Sequence, residues 1–237
     1  MIDLSNILEP VWSSLRWLIP AVLILKGIPL AFKARTQGKI GEMTVRAGLD
    51  SCTYRALHNA YLPNGERGWT EIDHLLLTEE GILVVETKTF TGQIFGRQSE
   101  PQWTQKLGRR TIKIPSPLRQ NYGHVQAVRS LVGSTVPVSG QVVLTGSAIF
   151  PGGMPDSVLS RVDFFNALKA GFSGTQPATA WVNAWESLEN AAKTDRKSRQ
   201  AHRRQIAARF GRDKKQLLGL GMIVAGVTLA AWFWFGG

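Results

Sequence analysis

A chain of 237 residues, 43% of them hydrophobic, has the material for one domain of ordinary size plus appendages. Its single cysteine, Cys52, excludes an internal disulfide and fits a reducing compartment, and its four histidines show no Cys/His ligand spacing, which argues against zinc. The formal charge is +11, most of it from residues 193–215, where ten Lys/Arg face only Asp195 and Asp213; the overall basicity alone is therefore no argument for DNA binding.

In chain order, residues 11–32 are apolar apart from Ser13, Ser14, Arg16 and Lys26, with Pro20 and Pro29 inside the run. Such a segment either spans a membrane, where prolines and end-of-helix charges are tolerated, or lies as an amphipathic helix at an interface or against a partner. Asp3 and Glu9 stand where a signal peptide would carry a basic stretch, which argues against cleavage. Residues 39–61 read as a helix, with Met43, Val45, Leu49, Tyr54 and Leu57 among its apolar positions and Glu42 early in it.

Residues 71–88 then read E-I-D-H-L-L-L-T-E-E-G-I-L-V-V-E-T-K, two apolar strands around a turn at Glu79–Gly81. Asp73, Glu86 and Lys88 are out of place there, because an unpaired charge on a buried strand face costs several kcal/mol, on the order of the figures for buried ions. Glu86 and Lys88 share one face, since strand side chains alternate. A register that sets Asp73 opposite Glu86 or Lys88 brings all three together, and a slip of one residue sends Asp73 to the other face. Two carboxylates can hold Mg²⁺ (or Mn²⁺), and a lysine beside them can orient an attacking water or stabilise charge on phosphorus. On spacing alone the triplet reads equally well as a solvated surface ion pair. His74 follows Asp73, points to the opposite face and is either structural or part of the site.

Further along, residues 89–95 are expected to continue the sheet, with Gly92 allowing a turn or bulge. Pro115 and Pro117 precede a helix over residues 118–132, where Gln120 and His124 are four apart and can share a face. Residues 141–150 read as one strand, followed by a Pro/Gly turn at 151–155 and helices over 161–172 and 178–193. Phe164, Phe165, Trp181 and Trp185 read as core. Trp69 and Trp103, near the motif residues, either pack beneath the hairpin or stack on a base.

Taken together, Gly41-Glu42, W-T-E-I-D-H at 69–74, G-I-L-V-V-E-T-K at 81–88, Gly92-Gln93-Ile94, Trp103-Thr104-Gln105 and S-P-L-R-Q-N-Y-G-H at 116–124 resemble, in order, the nuclease-related domain (NERD) family of the PD-(D/E)xK restriction-endonuclease-like superfamily. The resemblance covers roughly residues 38–150. It implies an α/β fold with a restriction-endonuclease-like αβββαβ core, flanking helices, and a metal-dependent nuclease site. Asp73, Glu86 and Lys88 fall on the signature acid, acid and lysine, with Asp73 and Glu86 as metal ligands; Glu42 matches the first-helix glutamate and Gln120 the later-helix glutamine. Ser116-Pro117 stands where family members often have Asn-Pro, and serine is an equally good helix N-cap.

The chain closes with residues 217–235, nineteen without a charge, enough at about 1.5 Å per residue to cross a hydrocarbon core of about 30 Å, and with Trp232 and Trp234 at the far end. The basic run before it marks a cytoplasmic flank, and Lys33, Arg35 and Lys39 flank the N-terminal segment in the same sense. Residues 193–215 can equally contact anionic lipid, hold nucleic-acid phosphates or form a solvated helix. The organisation expected is an N-terminal apolar segment (1–32), a nuclease-like domain (33–192), a basic juxtamembrane helix (193–216) and a transmembrane helix (217–235). The function expected is a nuclease, acting on DNA before RNA, held at a membrane (a bacterial inner membrane) with its domain in the cytosol. The alternative is a non-enzymatic membrane scaffold that binds nucleic acid or protein through an inactive nuclease-like fold.

Overall fold

The computed structural model describes residues 15–49, 52–65, 68–195, 198, 200, 204 and 214–235. They form two compact units: Met1–Thr36 with Ile206–Gly237, and Gln37–Gln205. Most of the basic run at 193–215 lies outside the described residues.

In the larger unit, the five-stranded sheet has the order β1-β2-β3-β7-β9. Strands β1 (Arg55–Pro63), β2 (Trp69–Thr78) and β3 (Gly81–Lys88) are antiparallel neighbours. The remaining two strands, β7 (Val138–Leu144) and β9 (Val158–Ser160), run parallel to β3, which makes the sheet mixed. Parallel pairing needs a crossover, and the helix α2 (Pro117–Val132) lies on that connection. Ser116 caps α2, its side chain accepting from the Arg119 N–H, and Pro117 occupies the first turn, where no backbone donor is missed.

Both faces of this sheet are covered. On one face Leu75, Leu77, Ile82 and Val84 pack with Val125 and Val128 of α2 and with Trp185 and Leu188 of α4 (Thr179–Ala191). On the other, Leu76, Val85 and Val143 pack with Val45 and Leu49 of α1 (Leu18–Leu49) and with Phe164 of α3 (Arg161–Ala170). Each fully buried aliphatic side chain contributes about 1.5–3 kcal/mol.

Three expectations are corrected. The helix expected over residues 39–61 ends at Leu49, and Arg55–Pro63 is the strand β1. Leu57, Ala60 and Leu62 pack on one face of the sheet and Ala56 on the other, and a strand covered on both sides lacks a clean two-residue period. Nor do residues 89–95 extend the first sheet. Here β4 (Gly92–Phe95) opens a second sheet of order β6-β5-β4-β8, built with β5 (Gln102–Leu107), β6 (Arg110–Pro115) and β8 (Ala148–Ile149). Gly92 makes the break at φ 75°, where a Cβ would stand 2.4 Å from the Lys106 carbonyl oxygen. Finally, the single strand expected over 141–150 is two, β7 in the first sheet and β8 in the second. The sheets share a core of Ile94, Trp103, Val142, Leu144 and Val158. Trp103 is fully buried there and its Nε1–H donates to the Arg97 carbonyl oxygen at 3.1 Å, so its packing role excludes base stacking.

In the smaller unit the first part of α1 packs antiparallel to α5 (Lys214–Phe235): Pro20 meets Gly226 and Gly27 meets Gly219, and Trp17, just before α1, meets Phe233 at 6.1 Å between ring centroids. Gly219 and Gly226 are buried, and a Cβ on Gly27 would stand 2.7 Å from the Gly219 carbonyl oxygen. Small residues at such a contact let two helix backbones approach closely. Among the described residues, α5 is the one helix long and apolar enough to cross a membrane; Leu18–Phe32 is a shorter apolar stretch.

Candidate active site

At the end of β2–β3 away from the turn, the hairpin changes character. Its ladder runs from Thr78↔Gly81 to His74↔Val85 and stops there. One more step in that register sets Asp73 opposite Glu86. The side-chain alternation also breaks at this point, since Ile72 packs in the same cluster as Leu75. With no ladder partner from β3, Asp73 turns its carboxylate to the neighbouring strand and accepts the Thr87 N–H at 2.8 Å.

Glu86 is 1% exposed. Lys88 Nζ donates to its Oε1, and His124 Nε2 lies 3.2 Å from its Oε2. That second approach falls outside aligned hydrogen-bond geometry, so the buried Oε2 lacks an aligned donor although His124 stands beside it. Burial works against the Glu86 charge, but Lys88 and His124 outweigh it and hold the carboxyl below its usual range. For Lys88 burial likewise favours the neutral form, and the Glu86 charge outweighs it, raising the ammonium pKa. The two therefore stand as a charged pair.

Asp73 behaves in the opposite way. Burial and the nearby Glu86 charge push its pKa well above the usual carboxylate range, against the lowering effect of the Thr87 N–H. Glu42 is raised as well, by burial and by Glu71 and Glu86. Its helix comes close because Gly41 has no side chain: a Cβ there would stand 2.4 Å from Thr89 Oγ1 and 2.5 Å from Thr145 Oγ1. The larger unit thus gathers three acids, Glu42, Asp73 and Glu86, around one lysine, with Glu71 acting on Glu42, and the pKa values of Glu42 and Asp73 are raised.

Of the residues expected at the site, Glu86 and Lys88 are in contact, and Asp73 and Glu42 lie near enough to feel their charges. Gln120 reaches the group through His124: its Nε2 lies 3.3 Å from His124 Nε2, and its side chain is exposed. His124 is the residue that sequence reasoning undervalued. Thr70 Oγ1 lies 3.0 Å from its Nδ1, so the ring is held between β2 and Glu86. The spacing of Gln120 and His124 on one helix face was the available signal. Glu71 was missed too, although it stands two residues before Asp73 in the same strand; its Oε1 accepts the Tyr61 hydroxyl. His74 is fully buried with its Nδ1 2.8 Å from His58 Nδ1, and burial, with His58 and Arg46, lowers its pKa to about 3. It is a neutral structural histidine.

Among the described residues no three His, Cys, Asp or Glu side chains form a cage for a metal ion. The donor set fits a hard cation that keeps most of its own waters, as Mg²⁺ does with one or two carboxylates. Two observations carry the fit: the Glu86 Oε2 that lacks an aligned donor, and the raised pKa values of Asp73 and Glu42, which a cation would relieve.

Residues 37–145 match the nuclease-related domain, NERD. The chain is also 32% identical over 123 residues to an uncharacterized protein of Bacillus anthracis, a match that covers 51% of this chain and 58% of that protein. This chain therefore spans little more than half the length of that relative. No solved structure matches it.

Proposed function

We propose that this chain, whose residues 37–145 are a nuclease-related domain, is a metal-dependent nuclease hydrolysing nucleic-acid phosphodiester bonds, DNA before RNA. The observation that carries the reading is the buried Glu86 paired with Lys88 beside a carboxyl, Asp73, whose pKa burial and Glu86 raise well above its ordinary value. A fold gains little from such a group: a buried ion pair is often no more stabilising than apolar residues in its place. The order of α1, the antiparallel β1-β2-β3, α2 and β7 also supports the restriction-endonuclease-like αβββαβ core.

Asp73 and Glu86 would hold Mg²⁺ or Mn²⁺. When bound, the ion polarises a non-bridging phosphoryl oxygen and lowers the pKa of a coordinated water. Lys88, with 26% of its side chain exposed, is open to a substrate phosphate. Its ammonium would orient the attacking water or neutralise charge on the phosphoryl oxygens as the water oxygen bonds to phosphorus and the ester P–O bond breaks. The leaving oxygen takes up a proton. His124 would keep the Glu86 carboxylate aimed, with Gln120 at the rim and Glu42 adding negative charge.

The helix α5 would anchor the protein in a membrane, with the larger unit in the cytosol and residues 193–215 against anionic headgroups. A scaffold reading, in which the fold binds without turnover, is favoured by one contact: Lys88 Nζ already occupies Glu86 Oε1. The full chain in nonionic detergent, assayed on single- and double-stranded DNA and RNA with Mg²⁺, Mn²⁺ or EDTA, separates the two. Cleavage that needs metal and disappears in Glu86→Ala is expected. No cleavage by folded wild type, or undiminished cleavage by Glu86→Ala, would overturn the nuclease reading.

A further inference from the structure

The second sheet has an outer face that no described residue covers. Ile94 and Trp103 point into the shared core, so their strand neighbours point away from it. Pairing sets Phe95 beside Thr104, Gln93 beside Lys106 and Ile149, and Thr104 beside Lys113, which places all of these on the outer face. Phe95 is 41% and Ile149 57% exposed. Lys106 and Lys113 are exposed on the same face, Lys113 Nζ donating to Thr104 Oγ1 at 2.8 Å, and Arg109 and Arg110 are exposed at the β5–β6 turn.

The charge of this region is one-sided. Residues 89–155 contain seven Lys/Arg and a single acid, Glu100. Among the described residues none of Lys106, Arg109, Arg110 and Lys113 lies within ion-pair distance of a carboxylate. Clustered lysine and arginine without carboxylate partners keep their full charge for a polyanion, and an exposed aromatic ring among them is a surface on which a base can stack. Threonine and glutamine fill the rest of the face, which supplies hydrogen-bond donors suited to phosphate oxygens.

The face also leads to the acid cluster. Strand β4 starts at Gly92, four residues after Lys88, and the intervening turn is tied down: Gln105 Nε2 donates to the Thr91 carbonyl oxygen at 2.8 Å, and Thr89 Oγ1 lies 2.8 Å from Thr145 Oγ1. We propose that the outer face of the second sheet, through Lys106 and Lys113 with Phe95 beside them, together with the exposed β5–β6 turn that carries Arg109 and Arg110, is the docking platform for the nucleic-acid backbone. The proposal rests on the nuclease reading for its ligand, but it concerns binding and not turnover.

The test is binding of fluorescently labelled 20-mer DNA and RNA to the full chain in maltoside detergent with EDTA, across a salt series. Lys106→Gln/Lys113→Gln and Arg109→Gln/Arg110→Gln are compared with wild type and with Lys169→Gln on α3. Each double variant is expected to weaken binding about tenfold at moderate salt and to flatten the log Kd versus log salt slope by about one per phosphate contact removed, with Lys169→Gln unchanged. Thermal melts show whether each variant is folded, and having two pairs guards against one failing to fold. Wild-type affinity and slope in both folded double variants would overturn the proposal. So would a loss of binding to anionic vesicles in those variants while oligonucleotide binding stays the same. Salt-dependent, variant-sensitive binding without cleavage in Mg²⁺ would keep this platform and refute the nuclease reading alone.

Discussion

The two ends of the β2–β3 hairpin are made from the same strands but bring different chemistry to the fold. From the turn to His74↔Val85 the strands are fully laddered, and Leu75, Leu76, Leu77, Ile82 and Val84 feed the cores on both faces of the sheet. Past His74 the ladder stops, Asp73 bonds to a backbone N–H across the gap, and the buried Glu86 and His124 meet the partly exposed Lys88 in a polar chain with one carboxylate oxygen lacking an aligned donor. The first half contributes apolar burial. The second half carries desolvated charge, which is costly to the fold and suited to binding a cation and a phosphate. The contrast teaches that departure from the strand pattern, more than the pattern itself, points to the candidate site.

Substitutions at the two ends should separate accordingly. The largest effect on activity is expected from Lys88→Ala, a loss of cleavage of at least about a hundredfold, as for the removal of other groups that stabilise transition-state charge; single-turnover rates measure it. Leu77→Ala, at the laddered end, should cost about 2–5 kcal/mol in denaturant unfolding while cleavage per folded molecule stays near wild type. A Leu77→Ala protein that is fully stable, or folded but inactive, would remove the distinction between the halves.

Smaller changes sharpen it. His124→Ala should lower cleavage and metal affinity about 10–100-fold, the usual range for a residue that orients a ligand, and His124→Gln should recover part of it; Mn²⁺ titration of both variants provides the check. Gly41→Val should cost about 1–3 kcal/mol, because the new side chain meets Thr89 and Thr145, and it should shift Glu42 away from the other acids.

A pH slope completes the comparison. His74 is neutral in the folded protein down to about pH 3, because of burial and the nearby His58 and Arg46, whereas an unfolded histidine titrates near about 6.5. Between those values the unfolded chain binds the extra proton, so this stability is fully present above about pH 6.5 and declines on acidification. The slope is at most about 1.4 kcal/mol per pH unit. Denaturant melts in EDTA from pH 7 to 4 should show a shallower decline in His74→Leu.

Much of this was legible in the sequence. The apolar run with Asp73, Glu86 and Lys88 set into it fixes β2 and β3, the Ser116-Pro117 start gives α2, and α3, α4 and α5 fall close to where periodicity puts them. The misreadings have a common cause in segments whose two faces are both covered or whose partner is distant in sequence. β1 reads as helix because both of its faces carry apolar residues, and β7 and β8 read as one strand because nothing local reveals that the chain changes sheets at Thr145. The second sheet's hairpin did leave a signal, Leu107-Gly108-Arg109 between two alternating runs, with Gly108 at φ 58°. The contact of His124 with Glu86 depends on α2 lying over the open end of β2–β3, a tertiary fact that no spacing encodes.

The central claim is that the open end of the hairpin is a cation site serving hydrolysis. The most direct measurement is Mn²⁺ binding by electron paramagnetic resonance on the full chain in detergent, with DNA cleavage read in the same samples, for wild type, Asp73→Asn and Glu86→Gln. The account predicts bound Mn²⁺ and cleavage in wild type and the loss of both in each variant. Wild-type Mn²⁺ binding in both folded variants, or cleavage that proceeds unchanged in EDTA, would contradict it.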